Sequence, residues 1–219
     1  DPAFEPNEKG RKGRFCFGTL NAPKGNLRNI YPFPMCSGFK FLPKKEYTLD
    51  GMYDKAKGSL VLFVNGKQEA IEPRHLIYDD GPVTINSACH DRGNHEFNGR
   101  VWDAKLYRKA SPDYNVQQLP SASDVLWAQS GSAIKGPKAE ARKIGGKQIQ
   151  FDRNTVWLHA RVRPSAKDGN KQHVILLAGG GEIGGQTKKD CASSALTFVW
   201  SRKRADLKTD ASVVEEADK

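Results

Sequence analysis

The chain has 219 residues, with 35 basic against 25 acidic side chains and a formal net charge of +10. This length is enough for one large domain or two small ones with a substantial core. The sequence has no run of about 20 apolar residues, the length that a helix needs to cross a bilayer, so we expect no membrane span. The positive excess favours polyanionic partners, and charge alone does not choose among nucleic acid, acidic glycan and an anionic surface.

The four cysteines, Cys16, Cys36, Cys89 and Cys191, are widely spaced and include no C-x-x-C pair. This spacing argues against a structural zinc site. An even number suits two disulfides in a secreted protein, with three pairings open, and it suits four buried thiols equally well.

The N-terminal third of the chain predicts strands separated by loops. Residues 1–13 are charged and contain glycine, which indicates a loose basic arm. RFCFGTL at 14–20 predicts a short strand, and residues 21–34, rich in proline, predict a surface loop.

The segment YTLDGMYDKAKGSLVLFVNGK at 47–67 predicts a three-strand antiparallel meander. Its first part alternates between the two faces of a strand, with Tyr47, Leu49 and Tyr53 on one face. Residues 60–64 are apolar on both faces, as in a central strand that is covered on both sides. Asn65-Gly66 is a strong hairpin signal because both residues tolerate positive φ.

The rest of the chain continues the strand pattern, and no long segment has helical periodicity. Predicted strands cover residues 75–78, 83–88, 100–107, 125–133, 148–151, 155–164, 174–178 and 196–200. The irregular alternation in the 100–107 strand predicts a bulge near Asp103. We therefore expect an all-β sandwich domain over 14–204, with an internal connector at 111–123 and a charged tail at 205–219.

Two motifs in the first half resemble a known family. The pattern around LVLFVNGK, followed forty residues later by FNGRVWDAKLYRKASP, resembles laminin-G-like domains, which are concanavalin A-like jelly rolls. The resemblance covers residues 40–112. It implies an antiparallel jelly-roll β-sandwich in an extracellular or periplasmic protein, with a lectin or adhesion role.

The order of the halves is unusual for that family. GGKQIQFDRNTVWLHARVRP at 145–164 resembles the opening strands of such a domain, yet it follows the segment that resembles the closing strands. The chain is then a circular permutant, a piece of a tandem array, or an accidental likeness. We favour one closed sandwich, because two half-domains would each leave a sheet face uncovered, and sandwiches with neighbouring termini tolerate permutation.

The polar face of the 155–164 strand predicts a ligand-binding surface. Tryptophan can stack on a sugar ring, and arginine can bind a carboxylate or sulfate through two parallel hydrogen bonds. The alternative is a solvated outer sheet face. The candidate residues are Trp157, His159, Arg161 and Arg163, to which Trp102 and Lys105 of the 100–107 strand add the same kind of side chains.

The family resemblance also implies a metal. Laminin-G-like domains often hold calcium at a loop rim, a role that Asp79, Asp80 and Asp91 could imitate here. No other cofactor is indicated, because GGGEIG at 179–184 matches a dinucleotide fingerprint but precedes no helical pattern.

These features favour a non-catalytic recognition module for an acidic glycan or a glycan-bearing surface. One alternative is a polysaccharide lyase acting on a uronate-containing polymer, in which His159 and Arg161 would be catalytic. Another is a structural or adhesion domain without a small ligand, which would associate with other domains or chains. Nucleic acid is a poorer match, because the basic clusters lack interleaved aromatic residues.

Overall fold

The computed structural model describes residues 12–20, 34–76, 78, 80–81, 83–85, 97–129, 131–136, 149–168, 172–179 and 195–202. The predictions for most of the N-terminal arm, for the charged tail and for Asp79, Asp91, Cys89 and Cys191 lie outside this part of the chain. The strands are β1 (Arg14–Leu20), β2 (Met35–Cys36), β3 (Tyr47–Asp54), β4 (Ser59–Val64), β5 (Lys67–Pro73), β6 (Val83–Ile85), β7 (Arg100–Tyr107), β8 (Val125–Ala128), β9 (Ile134–Lys135), β10 (Thr155–Arg163), β11 (Gln172–Gly179) and β12 (Ala195–Ser201).

The strands form two antiparallel sheets. One sheet has five strands in the order β2-β1-β12-β11-β6. The other has seven strands in the order β5-β4-β3-β10-β7-β8, and β9 also pairs with β7. The described residues contain no α-helix and one short 3-10 turn, Ala122–Asp124. The prediction of an all-β sandwich is confirmed.

Within the described ranges, no helix has the length and apolar character required to cross a membrane.

The main hydrophobic core lies between the two sheets. Phe17 and Trp200 contribute from the five-stranded sheet, and Leu49 and Leu158 from the seven-stranded sheet. The sheets approach closely at Gly51, where a side-chain carbon would collide with the ring of Phe17. A glycine at this position therefore lets the aromatic ring lie flat against the opposite sheet.

Both sheets combine strands from the two halves of the chain. β10 pairs with β3 on one side and β7 on the other, and β12 lies between β1 and β11. Two C-terminal strands, β10 and β12, therefore lie in the interior of the sheets, each paired with at least one strand of the N-terminal half. Backbone hydrogen bonds thus join the two halves of the chain in both sheets.

Several local predictions are confirmed. Asn65 and Gly66 have φ values of 52° and 77° at the β4–β5 hairpin. β4 is buried from Leu60 to Val64. The bulge near Asp103 is present, because the β7–β10 register shifts there and Asp103 has a φ of 50°.

Three predicted strands are wrong in extent. In the 75–78 segment, none of the described residues 75, 76 and 78 is in a strand. Tyr78 reaches the core with its ring, and its hydroxyl donates to the carbonyl oxygen of Asp152, 3.0 Å away. The 125–133 strand is shortened to β8 at Val125–Ala128, and β9 begins only after its predicted end. In the 148–151 segment, the described residues 149–151 form a single bridge between Ile149 and Gly81. Apolar side chains of these segments, such as Tyr78 and Ile149, are buried although their backbones do not form continuous strands.

One disulfide joins the first two strands. Cys16 and Cys36 are directly opposite each other in the β1–β2 register, and their sulfur atoms are 2.01 Å apart. Cys16 is buried in a small second cluster on the far side of the five-stranded sheet, together with Val174 and Val199. For this pair, the disulfide interpretation holds and the free-thiol interpretation is wrong.

The interleaving predicts that the halves of the chain do not fold separately. A fragment ending at residue 124 would leave β3 and β7 without β10 between them, and a fragment of 125–219 would lack β1 beside β12. We expect neither fragment to melt cooperatively in circular dichroism or calorimetry, whereas an equimolar mixture should regain a strand spectrum. Sharp, independent transitions in both fragments would contradict the interleaved sandwich and indicate two domains.

Candidate functional site

The outer face of the seven-stranded sheet, which points away from the main core, carries most of the predicted site residues. Residues directly opposite each other on antiparallel strands share a face. Three successive rows cross β3, β10 and β7 on this face, and a fourth begins on β10 without a partner on β3. The first three rows are Met52–Trp157–Tyr107, Asp50–His159–Lys105 and Thr48–Arg161–Trp102, and the fourth contains Arg163 and Arg100. Exposure of the β10 residues increases from Trp157 to Arg163.

The first row is apolar and covered. Trp157 is 0% exposed and packs against Tyr107, with ring centroids 5.5 Å apart. The connector after β7 lays Tyr114 and Val116 over this end of the sheet. The prediction of Trp157 as a sugar-stacking platform is therefore wrong, because neither face of its ring is open to a ligand. Strand periodicity placed the residue on the correct face but could not show that the connector covers it.

Tyr114 anchors that connector. Its hydroxyl donates to the carbonyl oxygen of Ser59 at 3.1 Å, and the ammonium of Lys57 lies 4.5 Å from the centre of its ring. Burial, followed by the nearby Asp54 carboxylate, raises the pKa of Tyr114 to about 12.

The second row contains a buried carboxylate that the sequence did not single out. Asp50 is 4% exposed, and its Oδ1 accepts a hydrogen bond from the indole Nε1 of Trp157 at 2.8 Å. The same oxygen lies 2.7 Å from Nδ1 of His159. A carboxylate accepts hydrogen bonds, so this contact places a proton on Nδ1 and fixes the imidazole orientation. The two donors offset part of the cost of burying the charge.

Asp103 occupies the other side of His159. Its Oδ2 is 3.8 Å from Nε2 of His159, and its Oδ1 is 2.7 Å from the ammonium of Lys105. Burial acts to raise the pKa of Asp103, but the Lys105 hydrogen bond and the charges of Lys105, His159 and Arg161 outweigh it and lower that pKa. The hydrogen bond to Asp103 in turn raises the pKa of Lys105. We call Asp50, His159, Asp103 and Lys105 the polar network.

The far end of the face is cationic. The guanidinium of Arg161 lies 5.3 Å from the centre of the Trp102 ring, and its side chain is 47% exposed. Its nearest carboxylate is Glu46, at 3.8 Å. Arg163 donates from Nε to the carbonyl oxygen of Lys44 at 2.9 Å. We call this surface the cationic patch; it consists of Trp102, Arg161, Arg163, Lys44, Arg100 and Lys135.

Arg100 and Lys135 were not identified from the sequence. Arg100 lies opposite Arg163 on one side and Lys135 on the other, so the three cations form a row across β10, β7 and β9. Only the strand register brings them together, because they are far apart in the chain. Of the six predicted residues, Trp102, Arg161 and Arg163 are in the cationic patch, His159 and Lys105 are in the polar network, and Trp157 is buried.

Of the predicted calcium ligands Asp79, Asp80 and Asp91, only Asp80 lies in the described part of the chain, so the calcium prediction stays a prediction. The Oδ1 of Asp80 accepts the backbone N–H of Phe151 at 2.9 Å, which ties two loops together. Across the described ranges, no group of three or more His, Cys, Asp or Glu side chains is arranged to hold a metal ion.

No family model, curated protein or solved structure matches the chain. The laminin-G-like resemblance therefore remains a hypothesis, and inferences about function rest on the surface itself.

The Asp50 contacts predict a structural role for Trp157. Trp157→Phe keeps most of the apolar ring but removes the N–H that Asp50 accepts, and we expect a loss of about 1–3 kcal/mol in the free energy of unfolding. Trp102→Phe is the matched control, since its indole N–H has no partner among the described residues, and its change should stay within about 0.5 kcal/mol. Urea denaturation measures the free energy of unfolding of both variants. Equal values for Trp157→Phe and the unsubstituted protein would contradict the role of the Asp50 contact.

Tyr114 predicts an alkaline weakening of the connector. Because the folded pKa of about 12 lies above the ordinary value of 10.0, the protonated hydroxyl stabilises the fold fully below pH 10.0 and loses this effect as the pH rises through about 12. Tyr114→Phe should therefore lose less stability than the unsubstituted protein over this interval, as followed by urea denaturation at stepped pH. Parallel losses in the two proteins would show that Tyr114 does not contribute.

Proposed function

We propose that the protein is a non-catalytic recognition module for acidic glycans and that the cationic patch is its binding surface. The observation that carries this proposal is the association of exposed guanidinium groups with a half-buried tryptophan, Trp102, on an open sheet face. Arginine is suited to carboxylate and sulfate groups because its planar fork donates two parallel hydrogen bonds. The indole of Trp102 supplies a flat apolar surface of the kind that packs against a sugar ring.

The polar network supports binding rather than turnover. A lyase needs a base that is free to take a proton from the substrate. His159 is only 13% exposed at its side chain, holds its Nδ1 against Asp50, and directs its Nε2 toward Asp103. The Asp103 carboxylate would repel a uronate placed beside that nitrogen.

The proposal includes a jelly-roll fold and an extracellular or periplasmic location. Two antiparallel sheets with interleaved halves support a concanavalin A-like jelly roll whose strand order is circularly permuted. The Cys16–Cys36 disulfide supports an extracellular or periplasmic protein, since disulfides persist in oxidising compartments.

Affinity for acidic polysaccharide should depend on both parts of the patch. We expect Trp102→Ala to weaken binding about tenfold at all salt concentrations, a loss of about 1.4 kcal/mol, because the contact area disappears. Arg163→Ala should weaken binding mainly at low salt, because exposed charges are screened beyond about 10 Å at 0.1 M salt. Titration calorimetry against sulfated and uronate-containing polysaccharides at stepped salt measures both effects.

Arg153→Ala is the matched control. Arg153 is exposed and lies two residues before the start of β10, at the opposite end of the strand from Arg163. Its substitution removes the same charge as Arg163→Ala and should leave affinity unchanged. Circular dichroism of each variant checks that the sheets are intact. Absence of binding to every acidic polysaccharide would overturn the proposal, and release of ultraviolet-absorbing unsaturated ends would assign the protein to the lyases instead.

A further inference from the structure

We propose that the ligand is a chain of consecutive anionic units that lies across β10, β7 and β9, rather than a single acidic sugar. This inference rests on the proposed function and specifies the class of glycan. Its basis is the row of three cations formed by Arg163, Arg100 and Lys135, one from each strand.

The three cations of the row are spread over a distance that the acidic group of a single sugar cannot span. Neighbouring strands are spaced about 4.8 Å apart, so the backbone positions of the three cations span about 10 Å perpendicular to the strands. All three residues are exposed. One carboxylate or sulfate group could neutralise one of these charges, whereas a chain with repeated acidic groups could neutralise each in turn.

The row is also poorly neutralised by the protein. Like charges placed directly opposite each other on neighbouring strands are destabilising. Among the described residues, no carboxylate lies within 4.0 Å of the charged groups of Arg163, Arg100 or Lys135, in contrast to Arg161 with Glu46 and Lys105 with Asp103. An arrangement that is unfavourable in the free protein becomes favourable when a polyanion supplies the counter-charges.

Backbone contacts hold one end of the row in place. Lys44 donates its backbone N–H to the carbonyl oxygen of Pro164 at 2.7 Å and accepts the Nε hydrogen of Arg163 through its own carbonyl. The Arg163 side chain is thereby oriented, and its terminal nitrogen atoms form no ion pair or hydrogen bond with the described residues. The Trp102–Arg161 row lies two residues earlier on β10, about 7 Å away, so the two rows form one surface.

The surroundings favour a glycan over a nucleic acid. Proteins that bind single-stranded nucleic acid stack successive bases on several aromatic side chains. The cationic patch contains one aromatic residue, Trp102, which can accommodate one ring beside a row of charges.

The test is the dependence of affinity on ligand length. The probes are galacturonate oligomers from the monomer to the hexamer and a matching series of sulfated oligosaccharides, titrated calorimetrically at constant salt. We expect affinity to rise at least about tenfold from the monomer to the tetramer and then to level off as the row is filled. Arg100→Gln should weaken binding of the tetramer about threefold or more and weaken binding of the monomer less, so that the ratio of tetramer to monomer affinity falls, whereas Trp102→Ala should weaken binding of both by a similar factor.

Lys135→Gln provides a second test of the row if Arg100→Gln fails to fold, and Arg153→Gln is the control away from the patch. Affinity that does not depend on length, with sensitivity to Trp102→Ala alone, would overturn the extended ligand and leave the recognition module intact. No binding by any oligomer or polymer would overturn both. Tighter binding to a single-stranded oligonucleotide of equal charge than to either sugar series would overturn the glycan assignment.

Discussion

The backbone pairing of β10 with β3 on one side and β7 on the other is the interaction on which the structure depends. Through this pairing, Val156, Leu158, Ala160 and Val162 enter the core between the sheets. The alternate residues of β10 form the middle of the outer face. One strand therefore determines both the packing of the sandwich and the geometry of the candidate site, since successive side chains of a strand point to opposite faces.

The buried carboxylate of Asp50 lies between the two ends of that outer face. Its oxygen accepts the indole hydrogen of Trp157 and contacts His159, so the covered apolar end is joined directly to the polar network. A buried carboxylate without partners would be strongly destabilising, whereas these contacts make it part of the scaffold. The network also engages Lys105 with Asp103, and Arg161 lies near Glu46, whereas Arg100, Arg163 and Lys135 have no carboxylate within 4.0 Å among the described residues.

This division supports the proposed binding role over a catalytic one. The imidazole of His159 is oriented and partly shielded by two carboxylates, while the groups that are open to solvent are guanidinium and ammonium groups beside one indole. Such groups recognise anionic ligands through charge and hydrogen bonding. Their exposure in a row across β10, β7 and β9 suits an extended ligand.

Much of the fold could be read from local patterns. The alternation at 47–54, the Asn65-Gly66 hairpin, the boundaries of the 14–20 and 100–107 strands and the bulge near Asp103 follow from side-chain periodicity and from residues that tolerate positive φ. The same periodicity correctly placed Trp157, His159, Arg161 and Arg163 on one face. These features are local, because they depend on residues within a few positions of one another.

The tertiary structure alone decided which parts of that face are available. Burial of Trp157 results from a connector that returns over the sheet, and the Asp50 contacts and the Arg163–Arg100–Lys135 row arise from the register of strands that are distant in the chain. The sequence by itself determined the strands and their two faces, because these follow from backbone geometry and local side-chain chemistry. Coverage and cross-strand neighbours could not be deduced in this way, because they depend on how the strands pair and on what packs over the sheet after folding.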